Sequence, residues 1–445
     1  MTIDDSGLLA YDIDPVTGFL PRETPIERLP PQWEIWEKTL DSALALKLNV
    51  GQKYDITPDA VKRAAGWRES VRKLPILSVE DLKTSPDPVI RRAHLVLAFI
   101  FHIFIHTHTP LEPIVIPSSL GVPLIRVSNH LDIPPDVTYA DTVIYNWRPK
   151  DPSLSLSTKN FQSQVLFSGL LDEEEFYLAS TKIEFAGVEA MEILRVTMRD
   201  LALGRLEVDV AVERLERFKA VVMNLKGLLM DVRKGCRPND YYNDVRPWLS
   251  GQDSDPNKRI WIFEGLEEHN IPHPPELSGP SAGQSCLIHV LDAFLGIVHP
   301  RSHPDEPSFQ ERMMLYMPCR HRAFLQERML NQAKGTSLRE FVHARAEGEG
   351  GLQLLEAYNA AVKAMKEFRD GHMIISVMYI VNPARKAQKA RAAREALNVP
   401  SVDEEKEELQ EKVNDGAYVL RGTGGTDLVQ FLKDVRVNTV ETYLK

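Results

Sequence analysis

A chain of 445 residues, 43% hydrophobic and 26% charged, exceeds the size at which one core normally stops growing, so two packed domains, or one large domain with an appendage, are expected, with room for a buried cofactor. Its formal net charge of -10 excludes a general attraction for nucleic acid or anionic lipid, and partners must be read from sites. Cys236, Cys286 and Cys319 are too few and too scattered for a disulfide framework or a C-x-x-C site, which points to a reducing compartment.

The N-terminus, MTIDDSGLLAYDIDP, lacks the basic and apolar blocks of a signal peptide and is too acidic for a transit peptide, so a cytoplasmic location is expected. The following prolines and turn formers are read as a surface wrap. Helical periodicity then dominates, placing the chain in the all-α class, with helices predicted over 32–48, 56–72, 87–106 and 158–171. The most apolar window, Ala93 to Ile105, is interrupted by His102 and reads as too short to span a bilayer. The clearest strand is Ile114 to Pro117, inside a proline-bearing stretch with two short helices.

A soft boundary near Trp147 to Ser157 divides a small N-terminal helical domain, 1–150, from a large helical domain, 151–445. The second unit is predicted to hold helices at 173–203 and 207–234, a short segment at Tyr241 to Ser250 and a loop from Gly251 to Pro280. Helices then follow at 281–298, 307–330, 336–344 and 350–381, the last ended by Pro383. Residues 384–418 pair a basic half, ARKAQKARAAREA, with an acidic half, DEEKEELQEKVND, and read as a solvated or mobile insert or as two charged helices.

In the long helix Tyr358, Ala361, Met365, Phe368, His372, Ile375 and Tyr379 fall on one stripe. His372 therefore faces the core, where its ring nitrogens need protein hydrogen bonds or a ligand such as iron, and on spacing alone the hydrogen-bonded core histidine is the more frequent case. Arg369, one turn earlier, can pair with a cofactor carboxylate or with a surface acid. Phe176, Ser180, Ile183, Gly187 and Met191 share a second face whose small residues leave room for a flat ligand or allow close helix packing.

Three other patterns are weaker. GPSAG, Gly279 to Gly283, fits a nucleophile elbow around Ser281, with Asp292 and His372 downstream, but NIPHPPEL before it is not a central strand. His102, His106 and His108 lack a carboxylate partner within their run and are read as surface or helix-end residues. GTGGTD, Gly422 to Asp427, lacks the Lys-Ser/Thr of a phosphate loop.

The strings YADTVIYNW, FYLASTKIE, YYNDVRPWLSG, GPSAGQSCLIHVLDAFLGI, YMPCRHRAFL, FRDGHMIISVMYI and RGTGGTDLVQFLK occur in an order and spacing that resemble the indoleamine 2,3-dioxygenases over about residues 90 to 440. The resemblance implies haem b held by His372 as proximal iron ligand. Asp292 is then its supporting partner, Arg369 the cation for a haem propionate, and Ser281 a further cofactor-binding residue. It also implies an indole pocket of Tyr139, Phe176, Ser180, Tyr241 and Ala282, with Arg246 gripping the substrate carboxylate and Thr423 near its amino group in a closing glycine-rich loop.

Ser180 and Arg246 would stand nearest the chemistry, Ser180 as a small polar neighbour and not a general base. The implied reaction is cleavage of the indole C2=C3 bond of L-tryptophan by O2 at ferrous iron, in a monomeric protein served by an external reductant and independent of nucleic acid or membrane. The sequence departs from the family pattern at Tyr241 and Tyr242, where a phenylalanine is common at one place, and at Thr142 and Pro280. These changes bear on which indole is preferred, and the same chemistry on another indole, or a haem protein binding O2 without turnover, are the alternatives.

Overall fold

The computed structural model describes residues 5–53, 56–255, 257–301, 307–330, 337–396, 422–423, 425 and 427–445. Twelve longer helices carry the described fold. They are α1 (Glu34–Ala45), α2 (Pro58–Arg72), α3 (Asp87–His106), α4 (Ser118–Leu131), α5 (Leu171–Ala186), α6 (Val188–Ala202), α7 (Val208–Asp231), α8 (Cys286–Leu295), α9 (Leu338–Arg345), α10 (Gly351–Ser376), α11 (Asn382–Ala396) and α12 (Leu428–Val440). The all-α expectation is met.

Helix starts follow local chemistry. α2 opens with Pro58 after Thr57, whose side chain accepts from the Ala60 N–H at 3.3 Å. Ser337 and Glu340 form a reciprocal capping box at the head of α9.

α3 as a whole is long and apolar enough to cross a bilayer by length and composition, although the Ala93 to Ile105 run inside it is shorter than a span. Of its apolar stretch, 83% is buried inside the protein. Phe99, Phe101 and Phe104 of α3 centre one hydrophobic cluster with Trp36, Trp67 and Trp248. A second cluster joins α6, α7, α8 and α10 and takes in Leu8 and Phe19 from the N-terminal segment. α10 packs most extensively on α7 and also meets α12.

Two short strand pairs complete the framework. β1 (Ile114–Ile116), the expected strand, pairs in parallel with β4 (Trp261–Phe263), which lies in the stretch read as loop. β2 (Trp147–Pro149) pairs antiparallel with β3 (Phe161–Ser163), so the helix expected at 158–171 does not form. The reason is local: the Asn160 amide donates to the carbonyls of Asp151, Leu154 and Ser155 and accepts from Asp151 N–H, holding the backbone in a loop.

The other departures have equally specific causes. The helix expected over 173–203 breaks at Gly187, where an added Cβ would lie 2.4 Å from the buried Leu287 side chain. Close packing therefore explains Gly187. The helix expected over 307–330 is interrupted before Cys319 by Pro318, leaving Phe309–Met314 and Cys319–Phe324. Pro383 does not stop α10: a π-helical turn, Val377–Val381, carries the chain into α11, and Pro383 is that helix's second residue, where its missing N–H is tolerated. The basic half of the charged insert is thus helical, whereas 397–418 lie outside the described residues.

Candidate functional site

α5, α8, α10 and α12 enclose a cavity with the turn around Tyr139, the 280–285 segment and Thr423, and the centre of a water molecule can move through about 260 Å³ of it. Its walls are mainly apolar, with Val143, Ile183, Ile288, Phe368, Ile375, Leu432 and Val435 among them. Of the residues singled out in the sequence, Tyr139, Phe176, Ser180, Tyr241, Ser281, Ala282, Asp292, Arg369, His372 and Thr423 all line it. Arg246 does not. Its guanidinium lies 5.7 Å from the Tyr242 ring centroid and close enough to Tyr241 to oppose the upward shift that burial gives that hydroxyl.

His372 is half-buried, with part of its surface facing the cavity. Burial, and then the charge of Arg369, push its pKa down to about 4, so at neutral pH the ring is uncharged and carries a lone pair. Among the described residues no hydrogen-bond partner reaches either ring nitrogen. The other histidines on the wall are engaged: His289 Nε2 meets Gly283 O at 2.8 Å, and His299 Nε2 meets Asp292 at 2.9 Å. The hydrogen-bonded core histidine does not describe His372 among the described residues, and its uncharged imidazole on the mainly apolar cavity wall is available to ligate a metal.

Asp292 and Arg369 pair with each other. Asp292 does not hydrogen-bond to His372; it accepts two bonds from Arg369 Nη2, at 2.5 and 2.6 Å, as well as the His299 contact. Arg369 Nη1 donates to Thr439 of α12. The guanidinium is therefore committed to protein groups, because a buried carboxylate and a buried cation are each costly alone. Burial raises the Asp292 pKa, but Arg369 and His299 together pull it below the usual carboxylate range.

Phe176 and Tyr241 pack with ring centroids 4.4 Å apart, and Tyr379 meets Tyr241 edge-on at 5.7 Å. Ser281 caps the short turn Ala282–Gln284 by accepting from Gly283 N–H at 3.2 Å. No strand leads directly into it and it makes no bond to Asp292 or His372 among the described residues, so the elbow reading finds no support. Thr423 Oγ1 donates to Pro280 O at 2.7 Å, and its carbonyl accepts from Gly279 N–H and Ser254 Oγ, each at 3.2 Å. Gly425, at φ +76, sits where a Cβ would be 2.5 Å from Asp253 Oδ2, so this seat needs glycine. Gly424 and Thr426 of the same loop lie outside the described residues.

His102 and His106 of α3 and His108 just beyond it are buried and not at the surface, while His106 does end the helix. His102 bonds to Trp248 O and Asp136, His106 to Ser250 O at 3.0 Å and His108 to Phe104 O at 2.8 Å, all buried. Two of these acceptors, Trp248 and Ser250, lie more than a hundred residues along the chain, which helix spacing does not reveal. They form no metal cluster among the described residues.

Sequence reasoning missed three polar groups, Glu184, Ser285 and His299, and the apolar face of α12. Leu428, Leu432 and Val435, spaced by four and three, were a readable stripe. Glu184, one turn after Ser180, is 1% exposed and accepts from Tyr139 Oη at 2.9 Å and Ser285 Oγ at 2.6 Å. Burial raises its pKa to about 7 from an ordinary 4.5.

Because the folded state then binds this proton more tightly than the unfolded chain, stability is greatest at or below pH 4.5 from this group and is lost as pH rises to 7. Glu184→Gln is expected to flatten that slope, on the order of 3 kcal/mol over the window. Urea midpoints measured between pH 5 and 8 test this, and an unchanged slope in the variant would refute it.

A predominantly helical protein that turns an uncharged imidazole to a mainly apolar cavity can hold a metal-bearing ligand there. Residues 8–442 match the family model described as indoleamine 2,3-dioxygenase, and the chain belongs to that family. It is 29% identical over 438 residues to indoleamine 2,3-dioxygenase 2 of Mus musculus, covering 98% of this chain and 95% of that one. It is 28% identical over 447 residues to indoleamine 2,3-dioxygenase of Saccharomyces cerevisiae, covering 97% and 92%. A 6-hydroxytryptophan 2,3-dioxygenase of Fusarium equiseti is 28% identical over 433 residues, covering 97% and 96%. The family is one of haem-dependent dioxygenases acting on indoles, and this chain is an oxidoreductase of that kind.

Proposed function

We propose that the protein binds haem b through His372 and inserts both atoms of O2 across the indole C2=C3 bond of L-tryptophan, giving N-formylkynurenine. The observation that carries this reading is the uncharged His372 ring, without a hydrogen-bond partner among the described residues, on the wall of the cavity. Haem, when bound, supplies the ferrous iron that activates O2. We further propose a monomeric cytoplasmic enzyme kept ferrous by an external reductant, with residues 1–150 as a smaller unit contributing Tyr139 and 151–445 as the haem-holding unit.

The chain's own residues bind and orient. Phe176 and Tyr241 present aromatic surface to an indole plane, recovering its burial energy and limiting its tilt. Ser180 is small enough to leave room for the ring and keeps a hydroxyl near it. Thr423, seated on Pro280, brings a polar group to the part of the wall where an amino group would lie. Arg246, beside Tyr241 and Tyr242, is the proposed clamp for the substrate carboxylate, its fork suited to two parallel bonds.

The test is anaerobic reduction of the haem-loaded protein, followed by L-tryptophan and O2. Formation of N-formylkynurenine supports the reading, and a Soret band without product overturns the dioxygenase part. Within that assay Arg246→Ala is expected to keep haem and raise KM for L-tryptophan by about 10- to 100-fold, the size of a lost charge-assisted pair. An unchanged KM would remove Arg246 from the site.

A second reading is favoured by Tyr241 on the wall and by the Fusarium equiseti relative: the same chemistry on a ring-hydroxylated tryptophan. Comparison of kcat/KM for tryptophan and its hydroxy derivatives decides between them.

A further inference from the structure

Behind two residues of the cavity wall lies a carboxyl group to which no role has yet been given. Tyr139 and Ser285 both line the cavity, and Glu184 sits beyond them, 1% exposed. One oxygen of Glu184 receives both hydroxyl protons, from Tyr139 at 2.9 Å and from Ser285 at 2.6 Å. Its other oxygen, Oε2, is buried without a hydrogen-bond partner among the described residues. The Tyr139 backbone is fixed as well, since its N–H donates to Gln284 Oε1 at 2.8 Å and Gln284 Nε2 donates to Gly279 O at 3.0 Å.

A hydroxyl has one proton and two lone pairs. Once its proton is committed to Glu184, Tyr139 can offer only lone pairs elsewhere. Protonation of Glu184 does not change this. Oε1 already receives two hydrogen bonds, so an added proton belongs on Oε2, and Oε1 remains an acceptor. Ser180, also on the wall, has its hydroxyl within reach of the Tyr139 oxygen, and Val143 and Ile183 nearby are apolar.

We propose that Glu184 is a positioning residue that turns the Tyr139 and Ser285 protons away from the cavity. This wall thereby selects an indole presenting a hydrogen-bond donor, either the ring N–H or a ring hydroxyl. The inference rests on the reading of the cavity as an indole site and adds a rule of selection: a ring substituent that cannot donate gains nothing from Tyr139, while one that donates meets a prearranged acceptor. Glutamate serves better than an amide here because its ionised form has no proton to direct back at either hydroxyl.

The experiment uses haem-loaded wild type, Tyr139→Phe, Glu184→Met and Glu184→Gln, with equilibrium binding followed by the change in haem absorbance. L-Tryptophan is compared with 1-methyl-L-tryptophan, and each ring-hydroxylated tryptophan with the fluoro derivative substituted at the same position. In wild type at least one donor-bearing ligand is expected to bind about threefold to tenfold more tightly than its partner, the size of one net neutral hydrogen bond. That ratio should fall to about one in Tyr139→Phe and in Glu184→Met, and be largely kept in Glu184→Gln, whose amide oxygen still accepts.

A changed methyl ratio identifies the ring N–H as the donor, and a changed hydroxy-to-fluoro ratio identifies a ring hydroxyl. Ratios that stay at the wild-type value in both Tyr139→Phe and Glu184→Met overturn the inference. Thermal unfolding checks each variant, and Glu184→Leu replaces Glu184→Met should the latter not fold. A protein that binds none of these indoles refutes the indole reading and this inference with it; one that binds them without donor discrimination refutes this inference alone.

Discussion

Replacement of His372 by alanine is expected to abolish stable haem binding while leaving the apoprotein folded. The His372 ring makes no hydrogen bond among the described residues, so its removal deletes no polar partnership and only enlarges an existing cavity. Apoprotein stability should change by about 1 kcal/mol or less by comparison with fully packed core sites. The holoprotein should change far more, since a ligand present at 100 times its Kd stabilises by about 2.7 kcal/mol, and the variant loses that increment. Haem titration followed by the Soret band, with thermal unfolding in parallel, gives both readouts. His289→Ala is the control: His289 is tied to Gly283 O, and its loss should leave the Soret band in place. A normal Soret band in His372→Ala would refute the assignment of the iron ligand.

The second large effect concerns the pair beneath that histidine. Asp292→Ala should destabilise the protein by about 3–5 kcal/mol, because it leaves the buried Arg369 guanidinium without its countercharge. Removing both charges with Asp292→Leu and Arg369→Met should recover most of that loss, since an apolar pair avoids the desolvation of either ion. Urea unfolding of the three proteins measures the comparison. If the single variant loses less than about 1 kcal/mol, the pair does not hold α8 to α10 as described.

How much of this was legible in the sequence depends on the range of the forces involved. The limits of α3 are legible because its apolar run and the proline in its first turn are local. The stripe carrying His372 was read in the same way. Spacing could not reveal that Asp292 would face Arg369 instead of His372, since that choice depends on how α8 meets α10 and on Thr439 of α12 arriving from far along the chain. Ser180 and Gly187 show the limit most clearly. Both are small residues on one face of the same run, yet Ser180 lines the cavity while Gly187 is pressed against Leu287. Only the position of α8 separates the two. Glu184 was invisible for a related reason: its importance lies in two hydroxyls contributed by other segments.

The π-helical turn at Val377–Val381 has a practical consequence for anyone handling this protein. Pro383 looks like a safe place to cut, tag or splice the chain, yet it lies inside one nearly unbroken rod from Gly351 to Ala396. Severing the rod there would leave Tyr379, whose hydroxyl donates to Cys236 O at 2.5 Å and whose ring braces Tyr241, four residues from a frayed end. A protease-resistant core or a reporter fusion should therefore be bounded beyond residue 396, because an endpoint at Pro383 would loosen the aromatic wall from behind.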